Sequence, residues 1–334
     1  MGNFYPGWGK LDGFDSESLN LRSKGGLPVT QPLPLKDATS LLNDPEALRE
    51  QAREDGLLFF KGLLDPKPIW ALRQQILEIC ARHGFLEPGV PVEKAQARDG
   101  FFIAESSVDP AYRAYYRDIQ KLRDFHALAH HPDLLRIRSL FFGDEVMTHP
   151  LVILRTIFPN AIEHTTPPHQ EYYFIRGSKQ TWTAWVPLGD CSRSLGSLTL
   201  WPGSHKKGFL PVVASKGAGL IEVVFPEEPT WAEADFSCGD FVTFHCFTVH
   251  KGLPNTTENT LRISLDCRAQ PWRDPLIAPV SLANPHLHPV DWDGVYEDWD
   301  PDDPLRYYWR DYPLTLEADA PPPVGTPENP HPKG

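Results

Sequence analysis

Apolar residues recur every three to four positions through Pro66–His83, where Ile69, Leu72, Ile76, Ile79 and Cys80 mark one face of a predicted helix. Another helix is predicted over Asp37–Asp55. Between the two, Gly56–Phe60 reads as a short buried strand stopped by Lys61-Gly62. A third helical region spans Pro110–Leu140, with Leu122, Phe125, Leu128, Leu134, Leu135, Ile137 and Leu140 as markers and an interruption at Pro132. After Pro150 the period changes. Leu151–Phe158, Tyr172–Phe174, Thr181–Val186, Ser197–Trp201, Leu220–Val224, Phe236–Val249 and Leu261–Arg268 are β-rich runs separated by Gly, Pro, Asn and Asp. So dense a series of short strands predicts a barrel or sandwich, in a chain that is mainly β with flanking helices.

The ends have another character. Residues 1–36 are rich in Gly, Pro, Ser and Asp without periodicity and read as an extended N-terminal arm. One catalytic domain over 37–270 is the simplest partition, followed by a covering segment over 271–317 and a disordered tail over 318–334. Within the covering segment, Leu305–Asp311 reads as a last helix whose aromatics close one end of the barrel.

Charge and cysteine usage narrow the partners. A net charge of −12 without a Lys/Arg cluster argues against a nucleic-acid backbone, and Lys206-Lys207 reads as a solvated turn. Five cysteines without a Cys-x-x-Cys pair indicate neither a disulfide framework nor a zinc knuckle, which suits a reducing cytoplasm. The start of the chain lacks a basic region followed by an apolar stretch, and no window approaches the ~20 apolar residues of a membrane span, so a soluble, unprocessed protein is expected.

Three constellations carry candidate chemistry. In Pro168-His169-Gln170-Glu171, a strand would turn His169 and Glu171 to one face, where both can reach one ion. Alone, that pair also fits a solvated strand edge. Gly239–Asn255 reads as turn, long strand and turn with His250 at the strand's end. Two histidines and a carboxylate on one face leave positions open, the arrangement that suits iron(II) and dioxygen rather than zinc. In Leu261–Arg268, alternation puts Arg262 and Ser264 on the face opposite Ile263, Leu265 and Cys267. A buried Arg needs an anion, either a structural carboxylate or a bound dicarboxylate held in a bidentate fork. His205 in its turn and His245, an odd number of residues from His250, read as structural or supporting residues. His286 and His288 read as a solvated loop. Arg176, Lys179, Phe101 and Phe102 are candidates for lining a substrate pocket.

The order of these motifs resembles the phytanoyl-CoA dioxygenase family. The likeness runs from Arg53-Glu54-Asp55-Gly56 to Arg268 through Pro168–Glu171, Trp185–Asp190, Gly196–Leu198, Pro202–Lys206 and Gly239–Arg262. It implies a double-stranded β-helix, a jelly-roll or cupin-like barrel. It also implies iron(II) held by His169, Glu171 and His250, and 2-oxoglutarate anchored by Arg262 beside Ser264 and touched by Gln170 and Trp185. The implied activity is hydroxylation of an unactivated C–H bond of a small molecule with dioxygen, releasing succinate and CO2; halogenation is disfavoured because Glu171 fills the halide's position. The alternatives are a non-catalytic metal- or ligand-binding barrel and a metal-dependent cupin enzyme that does not use 2-oxoglutarate. Two departures stand out. Glu171 replaces the family's usual Asp and reaches roughly 1.5 Å further. The spacing from His250 to Arg262 is one residue longer than is common, an addition placed in the Asn255–Asn259 turn, where it is tolerated.

Overall fold

Proline and an acidic cap start the first three α-helices. The computed structural model describes residues 31–143 and 145–317. In α1 (Pro45–Asp55) the Asp44 carboxylate accepts from the Ala47 amide, and in α2 (Pro66–Arg82) Asp65 does the same for Lys67. The predicted region from Pro110 is three helices, α3 (Pro110–Gln120), α4 (Arg123–Ala129) and α5 (Pro132–Phe142). Pro132 does not interrupt a helix but opens one, at the first position where its missing N–H costs nothing. The apolar face predicted for α2 is the buried one: Ile69, Leu72, Ile76, Leu77, Ile79 and Cys80. At roughly 1.5–3 kcal/mol per fully buried aliphatic side chain, that face contributes on the order of 10 kcal/mol before ordering costs.

Before the C-terminal segment, whose short strands Leu276–Ile277 and Leu316–Glu317 pair with each other, the strands are β1 (Leu33–Pro34), β2 (Leu57–Phe60), β3 (Val146–Thr148), β4 (Ile153–Ile157), β5 (Trp182–Pro187), β6 (Leu198–Leu200), β7 (Val212–Ala214), β8 (Ile221–Val223), β9 (Ala232–Glu233), β10 (Phe241–His245), β11 (His250–Gly252) and β12 (Arg262–Pro271). They build two facing sheets, one ordered β2-β10-β5-β12-β3 with β4 also paired to β12, the other β1-β9-β6-β11. β7 and β8 form a separate hairpin. This is the double-stranded β-helix.

Strand β12 organises the interior. Its odd-numbered residues Ile263, Leu265 and Cys267 join Ala184, Val186, Phe60 and Phe241 in a core shared with all five helices. Its even-numbered residues Arg262, Ser264, Asp266, Arg268 and Gln270 are buried on the other face, between the sheets. Residues directly opposed across strands share a face, so Thr183 and Trp185, opposite Arg268 and Asp266, and Arg155, opposite Ser264, also point inward. Leu57, Phe59, Trp185, Val242 and Phe244 pack against Leu198 and Leu200 of the second sheet. The inter-sheet space is thus apolar toward β2 and β10 and polar along β12.

Several expectations need correction. The Tyr172–Phe174 run is not a strand but a helical turn, α6 (Tyr172–Ile175), because the Glu171 carbonyl accepts from both Phe174 and Ile175. The long strand over Phe236–Val249 is broken: β10 ends at His245, and the Thr248 amide donates back to the His245 carbonyl before β11 begins. Part of the extended arm is strand, since Leu33–Pro34 pairs in parallel with β9 and Leu35 is buried. Residues 1–30 and the 318–334 tail lie outside the described residues. In the C-terminal segment, Trp292, Val295, Tyr296, Trp299 and Trp309 pack on Met147, with a short 3-10 turn at Tyr308–Asp311. Among the described residues no helix is long and apolar enough to cross a membrane.

Candidate metal centre

His169 and His250 meet through their backbones before their side chains do. Each amide donates to the other's carbonyl, at 2.9 and 3.1 Å, an isolated antiparallel bridge that ties the start of α6 to β11. Glu171 begins the helical turn with φ −58° and ψ −32°, so a reversal of the chain, not a strand alternation, brings its carboxylate beside the two rings. Ligand atoms of His169, Glu171 and His250 lie within 4.8 Å of one another, and among the described residues this is the one such group. Glu171 Oε1 is 3.7 Å from His169 Nε2 and 3.5 Å from His250 Nε2. Ligands about 2.1 Å from a shared ion stand roughly 3–3.5 Å apart, so the set is close to chelating geometry.

Backbone carbonyls fix the tautomers. His169 Nδ1 donates to the Pro167 carbonyl at 2.8 Å and His250 Nδ1 to that of Thr248 at 3.0 Å, which leaves each Nε2 lone pair facing the centre. All three residues are buried. Burial, and the neighbouring His250, hold the His169 imidazole below its usual range. Burial pushes the Glu171 carboxyl upward, but the charge of Arg268 opposes it and keeps the carboxyl well below the usual carboxylate range. Neutral imidazoles and an ionised carboxylate are the protonation states that a divalent cation requires of its ligands.

The other carboxylate oxygen is taken. Arg268 Nε donates to Glu171 Oε2 at 2.7 Å, and Nη2 of the same guanidinium pairs with that oxygen too. This contact is absent from the sequence reading, although the parity that turns Arg262 inward also turns Arg268 inward. Six residues before it, Arg262 is 4% exposed and donates through Nη1 to Ser264 Oγ at 2.6 Å; among the described residues it has no ion-pair partner. Its Cζ lies 5.9 Å from the Trp185 ring. Arg262 Nε, Trp185 Nε1, Thr183 Oγ1 and Arg268 Nη1 are all buried without a hydrogen-bond partner. Four unsatisfied polar atoms on one inward face each carry a desolvation cost that a polar ligand would remove. The donor set therefore fits a divalent metal, and the orphaned donors with their uncompensated cation fit a dianionic, oxygen-rich co-substrate.

Other predicted residues fall elsewhere. Gln170 is fully buried, but both amide donors go to carbonyls, of Gly208 at 2.9 Å and Phe247 at 2.7 Å, and its oxygen accepts from the Leu210 amide. It is thereby tied to the backbone and not brought to the centre. His205 donates to the Arg53 carbonyl at 3.1 Å, and the His245 ring packs beside those of Trp182, His205 and Phe247. Phe101 packs on Phe85 and Phe158 in the helical core, Phe102 is exposed beside His164, and Lys179 is exposed. Arg176 is buried at positive φ. His286, expected in solvent, is buried, whereas His288 is half-buried. The Leu154 amide donates to the Tyr116 hydroxyl, which leaves the phenolic proton for His286 Nδ1 at 2.9 Å.

Residues 52–264 match the family model described as phytanoyl-CoA dioxygenase (PhyH). The chain is 28% identical over 250 residues to the 1-deoxypentalenic acid 11-beta-hydroxylase of Streptomyces arenae, covering 70% of this chain and 84% of that one. It is 29% identical to the enzyme of the same name from Streptomyces exfoliatus, over the same shares. Among solved structures it is similar to the epimerase SnoN in complex with Fe3+, alpha ketoglutarate and nogalamycin RO, with 21% identity, 70% and 86% coverage and a TM-score of 0.49. It is also similar to the non-heme alpha ketoglutarate dependent carbocyclase SnoK, with 17% identity, 74% and 89% coverage and a TM-score of 0.49. The match over 52–264 spans more than half of the 334 residues, and the chain belongs to the phytanoyl-CoA dioxygenase family of non-haem iron, 2-oxoglutarate-dependent oxygenases.

Proposed function

We propose that this oxygenase hydroxylates an unactivated C–H bond of a small-molecule substrate, with His169, Glu171 and His250 as iron ligands and Arg262 as the anchor for the far carboxylate of 2-oxoglutarate. When bound, iron and 2-oxoglutarate supply the oxidising chemistry: dioxygen is reduced as 2-oxoglutarate is decarboxylated to succinate and CO2, and the second oxygen atom goes to the substrate. The chain's own part is positioning. Three protein ligands leave half of an octahedral ion free, enough for a chelating co-substrate and dioxygen. Arg262, oriented by Ser264, offers a fork to the co-substrate's distal carboxylate, and Trp185 Nε1 is a further donor beside it. Phe174 and Phe244, with ring centres 5.8 and 4.3 Å from those of His169 and His250, keep water from the ligands.

One observation carries this reading: a buried arginine with no carboxylate partner among the described residues lies in the same inter-sheet space as a buried His-Glu-His cluster. A non-catalytic barrel has no use for such a cation, and an oxygenase of this class has. Two relatives in sequence carry the name 1-deoxypentalenic acid 11-beta-hydroxylase, and a substrate screen begins there. The test is succinate release from 2-oxoglutarate with iron(II), with and without candidate small molecules, followed by mass spectrometry of the product. Substrate-stimulated succinate with a product one oxygen atom heavier supports hydroxylation; stimulated succinate with a product lacking that oxygen would replace hydroxylation by another oxidation.

A further inference from the structure

A glutamate in place of the family's aspartate raises a question that Arg268 answers. A carboxylate has two oxygens, and on a longer, freer side chain both can turn to one cation. A chelating Glu171 would take a position that the co-substrate or dioxygen needs. Both contacts from Arg268, through Nε at 2.7 Å and through Nη2, fall on Oε2, while Oε1 alone faces the histidines.

The guanidinium is well placed to enforce that division. Arg268 sits on the ten-residue strand β12, opposite Thr183 of β5, and its carbonyl accepts from the His149 amide at 2.8 Å, so its backbone is held on both sides. It is 3% exposed, and Glu171 is its one carboxylate partner among the described residues; the other inward acid of the strand, Asp266, is 3.3 Å from Arg155. An aspartate at position 171, shorter by roughly 1.5 Å on an unmoved backbone, would draw its oxygens away from Arg268.

We infer that Arg268 is a positioning residue matched to Glu171: it captures Oε2, keeps the carboxylate monodentate toward the metal, and thereby makes a glutamate workable at this place in the triad. The inference rests on the iron-ligand reading proposed above. Arg268 and Glu171 act as a coupled pair, and removing either one changes what the other contributes to metal binding.

The test uses cobalt(II) as the probe, titrated into the metal-free full-length chain, with affinity from competition and geometry from the visible ligand-field spectrum. Relative to wild type, R268Q and R268K should lose about 10- to 100-fold in cobalt affinity, as supporting residues of metal sites do, and should change the spectrum, R268K less than R268Q. In an E171D background, R268K should add little further loss. Should R268Q fail to fold, R268K and E171D with their double variant carry the decision. A folded R268K with wild-type affinity and spectrum, or an equal loss on replacing Arg268 in wild type and in E171D, would overturn the inference alone. No cobalt binding by wild type would overturn the iron reading and this inference with it.

Discussion

The guanidinium of Arg262 and the hydroxyl of Ser264, two residues on along β12, are joined by a 2.6 Å hydrogen bond, while Arg262 Nε meets no partner. Ser264 orients the cation without neutralising it. S264A should therefore raise the KM for 2-oxoglutarate about 5- to 10-fold, the value of one hydrogen bond of about 1–1.5 kcal/mol, with kcat little changed. R262A should abolish turnover at ordinary 2-oxoglutarate and recover in part at high concentration. Succinate release against 2-oxoglutarate concentration measures both.

Gln170 links three backbone positions from one side chain, at Gly208, Leu210 and Phe247. Q170A would leave a buried amide and two part-buried carbonyls without this partner. It should destabilise the fold by roughly 2–4 kcal/mol, read as a lower midpoint in urea. An unchanged midpoint would show that water replaces the amide and that the clamp is dispensable.

The β7–β8 hairpin leans on the segment that leads into His169. Gly217, at φ +100°, would bring a Cβ within 2.3 Å of the Thr165 carbonyl, and the Val223 amide donates to the Pro168 carbonyl at 2.9 Å. G217A combines a disfavoured backbone with a clash against main chain, which cannot be relieved by rotating a side chain. It should lift the hairpin, lower stability by about 2 kcal/mol and weaken metal binding by loosening His169. Cobalt titration alongside thermal unfolding separates the two effects.

Acid should unfold the protein through buried neutral histidines. Burial lowers the His126 pKa to about 4 and that of His149 to about 3, from an ordinary 6.5. In the unfolded chain both bind a proton below about pH 6.5, so the unfolded state gains protons first as pH falls. Stability is complete above about pH 6.5 and falls as pH drops below it, the share of His126 being fully lost by about pH 4 and that of His149 by about pH 3, a loss of roughly 3–5 kcal/mol per histidine. H149Q, whose amide nitrogen stands near the place of Nε2, can keep the hydrogen bond to Gln270 and cannot titrate, and it should flatten the stability–pH curve in that window.

What the sequence made legible follows from strict alternation. Ile263, Leu265 and Cys267 had to face one way on an unbroken strand, which sends Arg262 and Ser264 the other way, and the structure places them so. The amphipathic face of α2 was equally plain. The breaks were not. Cys246-Phe247-Thr248-Val249 has strand composition with no Gly or Pro, and its turn is anchored by Thr248 Oγ1 donating to the Gly56 carbonyl at a separation of 192 residues. Tyr172–Ile175 reads as β from its aromatics, yet Tyr173 packs with Trp201, Val223 and Val249, and that packing overrides the local preference. His286 lies in a proline-flanked stretch that looks like a surface loop; its burial depends on Tyr116, a residue on α3. Arg268 could be placed on the inner face, but not beside Glu171, because a side chain's partner across a fold has no local signature.

The central claim is that His169, Glu171 and His250 hold one iron ion beside a 2-oxoglutarate site. Anaerobic addition of iron(II) and 2-oxoglutarate to the metal-free protein, followed by visible absorption, tests it most directly. A weak charge-transfer band that saturates at one iron per chain, is lost in H250A and needs both components is the predicted result. No band in wild type, or a band that survives in H250A, would contradict the account.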